Sequence, residues 1–229
     1  MFDRPLARAL SLSFLCTLLA APMFPAADLS TYRGFRFGMN TLQGADQAGM
    51  KVTDVTTVHQ QPALIQVLAF QPNVFDASTS KGDPASEITL TFYDGQLARM
   101  AVVYDRYKVD GMSKDDMIQA LSAVYGTATK PAAEIVYHSY HADAVPVLAR
   151  WEDSQYSYNL IRSDDRSSFA MVLYSKRLDA LAATAAVEAV RLEALAAPQR
   201  EADRARKQAD DTQALQEKSR LSNIASFRP

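Results

Sequence analysis

The chain has 229 residues, of which 48% are hydrophobic and 22% are charged, and its formal net charge is −2. This composition is that of a globular protein, which excludes collagen-like, mucin-like and wholly disordered chains. A near-neutral charge argues against nucleic-acid binding, because that function requires a basic surface. The length predicts one domain, or one domain with an appendage.

Residues 1–27 have the pattern of a Sec-type signal peptide. Arg4 and Arg8 make the start positively charged, an apolar run occupies 9–21, and Ala26 and Ala27 are small residues suited to cleavage. The run would form a helix of roughly 20 Å, which is too short for the roughly 30 Å core of a bilayer. We therefore expect a secreted or periplasmic protein without a membrane span after cleavage, in preference to one held by a transmembrane anchor.

The single cysteine, Cys16, lies inside this apolar run. Lipidation is the alternative interpretation, but it would need a small residue directly before the cysteine, where Leu15 stands. After cleavage the chain has no cysteine. Disulfides, thiolate catalysis, iron–sulfur clusters and cysteine-ligated zinc are therefore excluded for the mature protein.

Residues 28–176 predict an α+β domain with an antiparallel sheet and two packed helices. Ile88, Leu90 and Phe92 alternate with polar residues, which is typical of a half-buried strand, and Asp94-Gly95 predicts a hairpin turn after them. The stretch 73–86 is predicted to be a loop. The other predicted strands occupy 52–60, 63–70, 97–105, 147–152, 155–162 and 168–176.

The domain also shows a possible duplicated α-β-β-β unit. Gly38-Met39-Asn40 opens one half and Gly111-Met112-Ser113 the other, and Asn40 and Ser113 are both favourable N-caps. A helical stretch follows each cap, and an aromatic hairpin follows each helix, at 92–97 and at 151–156. The alternative is coincidence in a short degenerate pattern.

Residues 177–229 predict a helical tail rich in alanine and interleaved charges. Pro198 predicts a kink or break, because proline removes a backbone donor and disfavours helix in the residue before it. Apolar residues at helical spacing predict the face of this helix that docks on the body or on a partner. These residues are Leu178, Leu181, Ala185, Ala189, Leu192 and Leu195. Self-association through this tail, as a coiled coil, is a further expectation.

No nucleophile elbow, zinc-protease motif, P-loop or Rossmann glycine pattern occurs in the sequence. One cluster could hold a metal, namely Glu134, His138, His141 and Asp143. In an extended strand, however, residues three apart face opposite sides, so a polar loop or edge strand is the competing interpretation. His59 is expected to be a strand-end residue with local hydrogen bonds.

Tyrosines provide a second possible site. Tyr104, Tyr107, Tyr156 and Tyr158 could form a ligand face for a glycan or another small molecule, because tyrosine combines an apolar ring with a polar hydroxyl. The alternative is ordinary packing between strands. Trp151 is expected to lie in the core.

Three segments carry a resemblance to known proteins. They are Tyr32-Arg33-Gly34-Phe35-Arg36-Phe37-Gly38-Met39 before a helix, Phe92-Tyr93-Asp94-Gly95-Gln96-Leu97, and the helix from Ser113 to Gly126. Together they resemble the helix-plus-antiparallel-sheet modules of the β-lactamase-inhibitor-protein class, which shares its broad shape with the small lipoprotein of the outer-membrane barrel assembly machine. The resemblance implies an exported protein that binds other proteins and is not an enzyme. It transfers no functional residue, and the expected match is an uncharacterised secreted bacterial family of this loose resemblance.

These observations favour a non-catalytic exported module without a cofactor that binds a protein or a component of the cell envelope. A hydrolase or metal-dependent enzyme with a site near Glu134 to Asp143 is one alternative. A small-ligand or glycan binder that uses the tyrosine-rich sheet face is the other.

Overall fold

The computed structural model describes residues 27–72, 84–136, 144–163 and 168–228. The predicted signal peptide with Cys16 and most of the predicted loop at 73–86 lie outside these ranges. The described helices are α1 (Thr41–Gln47), α2 (Lys114–Tyr125) and α3 (Lys176–Ser226). The described strands are β1 (Thr31–Tyr32), β2 (Phe35–Arg36), β3 (Thr56–His59), β4 (Ile65–Phe70), β5 (Ala85–Tyr93), β6 (Gln96–Tyr104), β7 (Glu134–Val136), β8 (Ala144–Pro146), β9 (Ala149–Glu152), β10 (Tyr156–Arg162) and β11 (Phe169–Ser175).

The described part of the chain forms an antiparallel sheet of seven strands in the order β3-β4-β5-β6-β11-β10-β9. This confirms the predicted α+β class. Each half runs from a short helix into an antiparallel meander, and the last strands of the two meanders, β6 and β11, pair in the middle of the sheet. The two aromatic hairpins that the repeat pattern treats as equivalent lie at different positions in their meanders. The 92–97 hairpin joins the last two strands of its meander, whereas the 151–156 hairpin joins the first two strands of the other.

One face of the sheet carries the main hydrophobic core, beneath α1 and α2. Ile88, Leu90 and Phe92 are buried there, as their alternation predicts, and Trp151 is buried and donates from Nε1 to the Gly126 carbonyl (2.9 Å). Asn40 and Ser113 cap α1 and α2 with complete capping boxes, which confirms both predicted helix starts. Gly44 allows α1 to lie close to the sheet, since a Cβ there would stand 2.7 Å from Cζ of Phe92.

The opposite face is covered by the β7–β8 hairpin and by the first half of α3. A smaller hydrophobic cluster forms beneath the hairpin from Ile135, Val147, Ile161 and Val172, among others. On α3 the buried residues are Leu178, Ala182, Ala185 and Ala189.

The predicted docking stripe of α3 is therefore partly wrong. Leu181 and Leu195 are exposed, Leu192 is half-buried, and Ala182 is buried in place of Leu181. The buried face carries three alanines after Leu178, which let α3 lie close to the sheet, and Leu181 lies outside that face. Spacing alone could not distinguish it from the adjacent, more hydrophobic face.

The helix α3 is continuous through Pro198, so the predicted break is wrong, while a kink there stays a prediction. Every residue from 197 to 226 is exposed. Water can therefore hydrogen-bond to a backbone carbonyl that Pro198 leaves without an intrahelical donor. The Arg200 guanidinium also donates to the Glu193 carbonyl (2.7 Å), one turn before the proline. Among the described helices, none has both the length and the apolar character that crossing a membrane requires.

An ion pair fixes α3 to the sheet. Arg99 of β6 donates from Nε and Nη2 to the two carboxylate oxygens of Asp179 (2.6 and 2.8 Å), and the two side chains are only 15% and 17% exposed. Arg99 also donates from Nη1 to the Val136 carbonyl (2.7 Å) and lies over the Tyr174 ring. One guanidinium thus joins the sheet, α3 and the β7–β8 hairpin.

We expect Asp179→Asn to lower the free energy of unfolding by about 1–3 kcal/mol, because Arg99 would remain largely buried without its ionic partner. Urea denaturation followed by circular dichroism measures this change. Glu188→Gln is the matched control, since it breaks an exposed pair with Arg191 on the same helix. Equal stability of the two variants would show that the Arg99 pair does not anchor α3.

Candidate functional site

The predicted metal cluster lies mostly outside the described residues, because His138, His141 and Asp143 fall in the gap at 137–143. Glu134 is described and is exposed on β7. Within the four described ranges, no group of three or more histidine, cysteine or acidic side chains is placed to hold a metal ion. The metal-dependent alternative therefore stays a prediction.

The four predicted ligand-face tyrosines do not share one open surface. Tyr158 is fully buried and donates to the Thr31 carbonyl (2.8 Å), and Tyr104 is buried in the same core. Tyr156 is half-buried and stacked on Phe37, with 5.4 Å between the ring centroids. Tyr107 is 78% exposed in the loop after β6. The sheet face that carries Tyr104 and Tyr158 is covered by α1, α2 and the β1–β2 hairpin, and the tail lies on the other face.

Tyr104 instead lines a pocket of about 350 Å³ between α2, the β1–β2 hairpin and the loop after β6, which we call the tyrosine pocket. It has aromatic, aliphatic and cationic walls. The lining residues used below are Tyr32, Tyr104, Tyr125, Arg33, Lys108, Val109, Met112, Met117, Ala120 and Leu121.

A tight hairpin places Tyr32 and Arg33 at this pocket. Arg33 and Gly34 form the turn between β1 and β2, with φ of 52° and 84°. Positive φ at both central residues is the pattern of a type I′ turn, for which Asn-Gly is the favoured pair. Arginine is unusual at the first of these positions. Its guanidinium lies 5.2 Å from the centre of the Tyr32 ring.

The tyrosine hydroxyls at the pocket are held in the neutral form. Burial raises the pKa of Tyr32, and the Arg33 charge opposes that rise only in part. Burial raises the pKa of Tyr104 and Tyr125 in the same way. The Tyr104 hydroxyl donates to Sδ of Met171 (3.0 Å). The pocket therefore combines neutral hydroxyls with two cations.

Sequence reasoning missed Tyr32, Arg33, Met112 and Tyr125 as neighbours of Tyr104. The sequence did contain a signal for the β1–β2 hairpin, since Arg33-Gly34 stands between the aromatic residues Tyr32 and Phe35. Both of these flanking residues are buried in the structure. The approach of this hairpin to α2 depends on contacts between distant segments. Sequence spacing carries no information on those contacts.

A second cleft lies between β3 and α3. Gln60, Gln61, Leu192, Glu193 and Arg200 are among its lining residues. His59, beside it, bonds through Nδ1 to Glu193 Oε1 (3.1 Å). The expectation of purely local bonding for His59 is therefore wrong, since its partner is 134 residues away in the sequence.

The projecting end of α3 is the other feature that can bind a partner. Its last turns and the residue that follows them carry exposed apolar side chains at three-residue spacing, with Leu221 55%, Ile224 62% and Phe227 73% exposed. We call these three residues the apolar tip. Glu217 and Arg220 form an exposed ion pair on the preceding turns. This pair stabilises the helix but buries little of the helix surface.

No family model, curated protein or solved structure matches this chain. The resemblance to the β-lactamase-inhibitor-protein class therefore stays a prediction. Functional inference depends on the tyrosine pocket and the projecting helix themselves.

The raised pKa of Tyr104 predicts a loss of stability in alkali. Unfolded tyrosines ionise above the ordinary pKa of 10.0, while the folded chain keeps the Tyr104 proton. The free energy of unfolding is therefore unaffected below that pH and falls as pH rises above it. In Tyr104→Phe this fall should be less steep, as measured by urea denaturation between about pH 8 and 11. Tyr107→Phe removes an exposed hydroxyl and is the control, and equal slopes for the two variants would contradict the prediction.

Proposed function

We propose that the chain is an exported, non-catalytic binding module that attaches to a protein partner of the cell envelope through the projecting part of α3. The sheet domain would serve as the folded body, and the helix as the adaptor. The observation that carries this proposal is the exposure of all residues from 197 to 226, on a helix firmly anchored to the body.

The dimensions of the helix support an adaptor role. Its exposed thirty residues extend roughly 45 Å beyond the docked part. A long polar helix that projects into solvent is maintained mainly by intrinsic propensity and ion pairs, and bridging between separate folded units is one use of such a helix. Here alanines and the Glu217–Arg220 pair provide that support.

The apolar tip indicates where contact would occur. Leu221, Ile224 and Phe227 stand out on a segment whose other residues are mostly charged, polar or alanine. Exposed apolar residues grouped in this way are typical of interaction surfaces. A partner protein with an apolar groove would bury them, and a second copy of the chain is the competing occupant.

Photocrosslinking in the native host tests this proposal. A photoreactive phenylalanine analogue at position 224 is expected to give a discrete adduct with another envelope protein, identified by mass spectrometry. The same analogue at Val190 is the matched control, because Val190 is equally exposed on the docked part of α3. An adduct with twice the mass of the chain would favour self-association instead.

A truncated chain separates binding from folding. Ending the chain after Ala196 removes a segment whose described residues are all exposed, so the melting temperature of the body should remain close to that of the full chain. The complex should be lost, as judged by co-purification of the partner found at position 224. A truncated chain that still co-purifies that partner in full would overturn the proposed role of the helix.

A further inference from the structure

We propose that the outer edge of β3, together with the cleft beside it, binds an uncharged extended segment of a partner protein as an additional strand of the sheet. The cleft is the one between β3 and α3 that Gln60, Gln61 and Arg200 line, and we call it the edge cleft. The inference goes beyond the proposed function, because it concerns a different surface from the apolar tip and names the kind of segment that this surface recognises.

The outer side of β3 is open among the described residues. β3 is an end strand of the seven-stranded sheet, and within those residues its backbone pairs with β4 alone. The opposite end strand differs, because Thr129 and Arg150 exchange two backbone hydrogen bonds (2.8 and 2.9 Å) across the outer side of β9. An open edge presents unpaired N–H and C=O groups, for which another strand is the complementary structure.

The length and irregularity of β3 restrict what can pair with it. The strand has four residues, and its register with β4 shifts between Thr57 and His59. Short edges and bulges oppose open-ended growth of a sheet. An edge roughly 13 Å long gives main-chain contact to a few residues only, whereas a stable dimer of folded domains buries about 800 Å² on each partner. A short peptide segment therefore fits this edge better than a second copy of the chain.

The edge cleft gives one face of an added strand a place to pack. It has a volume of about 380 Å³ and is lined by Thr57 and Val58 of β3 and by Ala189, Leu192 and Ala196 of α3. Alternate side chains of a strand point to opposite faces, so every second residue of the added segment would enter the cleft. The apolar groups on the helix side favour aliphatic side chains at those positions. In such strand addition, main-chain hydrogen bonds provide affinity, and pockets for alternate side chains provide specificity.

The charged groups at the edge cleft are engaged with one another. Glu193 Oε1 bonds to Nδ1 of His59 (3.1 Å), and the Arg200 guanidinium donates to the Glu193 backbone carbonyl (2.7 Å). Among the described lining residues, one acidic side chain is balanced by one basic side chain. Gln60 and Gln61 are exposed and supply neutral amide donors and acceptors. This charge balance favours a segment with uncharged side chains.

Selection of peptides on the purified chain tests the proposal. A phage library of random short peptides should yield binders in which aliphatic residues alternate with uncharged polar ones. At saturating concentration, a synthetic copy of one binder should slow the hydrogen exchange of backbone amides in β3, as measured by NMR, because some of these amides gain hydrogen-bond partners.

Backbone methylation of that peptide distinguishes strand addition from other modes of binding. Two versions carry N-methyl groups at alternate residues, one version at the odd positions and the other at the even positions. Only one of these sets removes donors that face β3. One version should therefore bind about tenfold or more weakly, while the other should retain the affinity of the unmodified peptide.

A pair of α3 variants locates the site on the chain. Ala196 lines the edge cleft and is half-buried, whereas Ala197 is exposed and lies outside the cleft. Ala196→Phe should fill the cleft and weaken peptide binding about tenfold or more, while Ala197→Phe should bind as the parent does. Circular dichroism of both variants checks that lost binding does not reflect lost folding.

Three results would overturn the inference. The first is a selection that yields no binder to the folded parent chain. The second is an equal effect of the two methylated versions, and the third is parent-like affinity in Ala196→Phe. Sedimentation of the peptide-free chain checks the competing occupant, and a dimer that Ala196→Phe dissociates would also overturn the assignment to a peptide.

A change at the apolar tip separates this inference from the proposed function. Ile224→Ser alters an exposed residue of the tip and leaves the edge cleft intact. It should weaken the complex found by photocrosslinking but bind the selected peptide as the parent does. Failure of the adaptor role and failure of the edge cleft are therefore distinguishable.

Discussion

The pairing of β6 with β11 is the constraint on which the rest of the structure depends. It joins the two helix-and-meander halves into one sheet, with Arg99 opposite Tyr174 and Val103 opposite Ala170. Successive side chains of a strand point to opposite faces. Along β6 this alternation sends Met100, Val102 and Tyr104 into the core below α1 and α2. Arg99 points to the other face, where it binds Asp179 of α3.

One strand therefore contributes to both candidate sites. Tyr104, at the end of β6, lines the tyrosine pocket, and its backbone carbonyl accepts a hydrogen bond from the Ser168 hydroxyl (2.6 Å) at the start of β11. Arg99, five residues earlier, holds the helix. The sheet separates the tyrosine pocket from α3, because the two lie on opposite faces of it.

Local sequence patterns correctly predicted the structural features that are set by residues close together in the chain. The alternation of Ile88, Leu90 and Phe92 and the caps Asn40 and Ser113 were confirmed, because period and capping are set within a few residues. The choice of Ala182 over Leu181 was missed, since it depends on contacts between α3 and strands that are distant in the sequence. The arrangement of Tyr32, Arg33 and Tyr125 around Tyr104 was missed for the same reason.

The burial pattern of α3 also moves the boundary between body and tail. Composition changes at residue 177, which is why the sequence predicts the tail to begin there, but burial on α3 continues to Ala189 and partly to Ala196. The docked part is thus a structural element of the body, whereas every described residue from 197 onward is exposed. Pro198 stands at the start of that segment, where a lost backbone hydrogen bond faces water and costs less than it would against the sheet. A proline at this point is compatible with a helix that first packs as part of a fold and then leaves it.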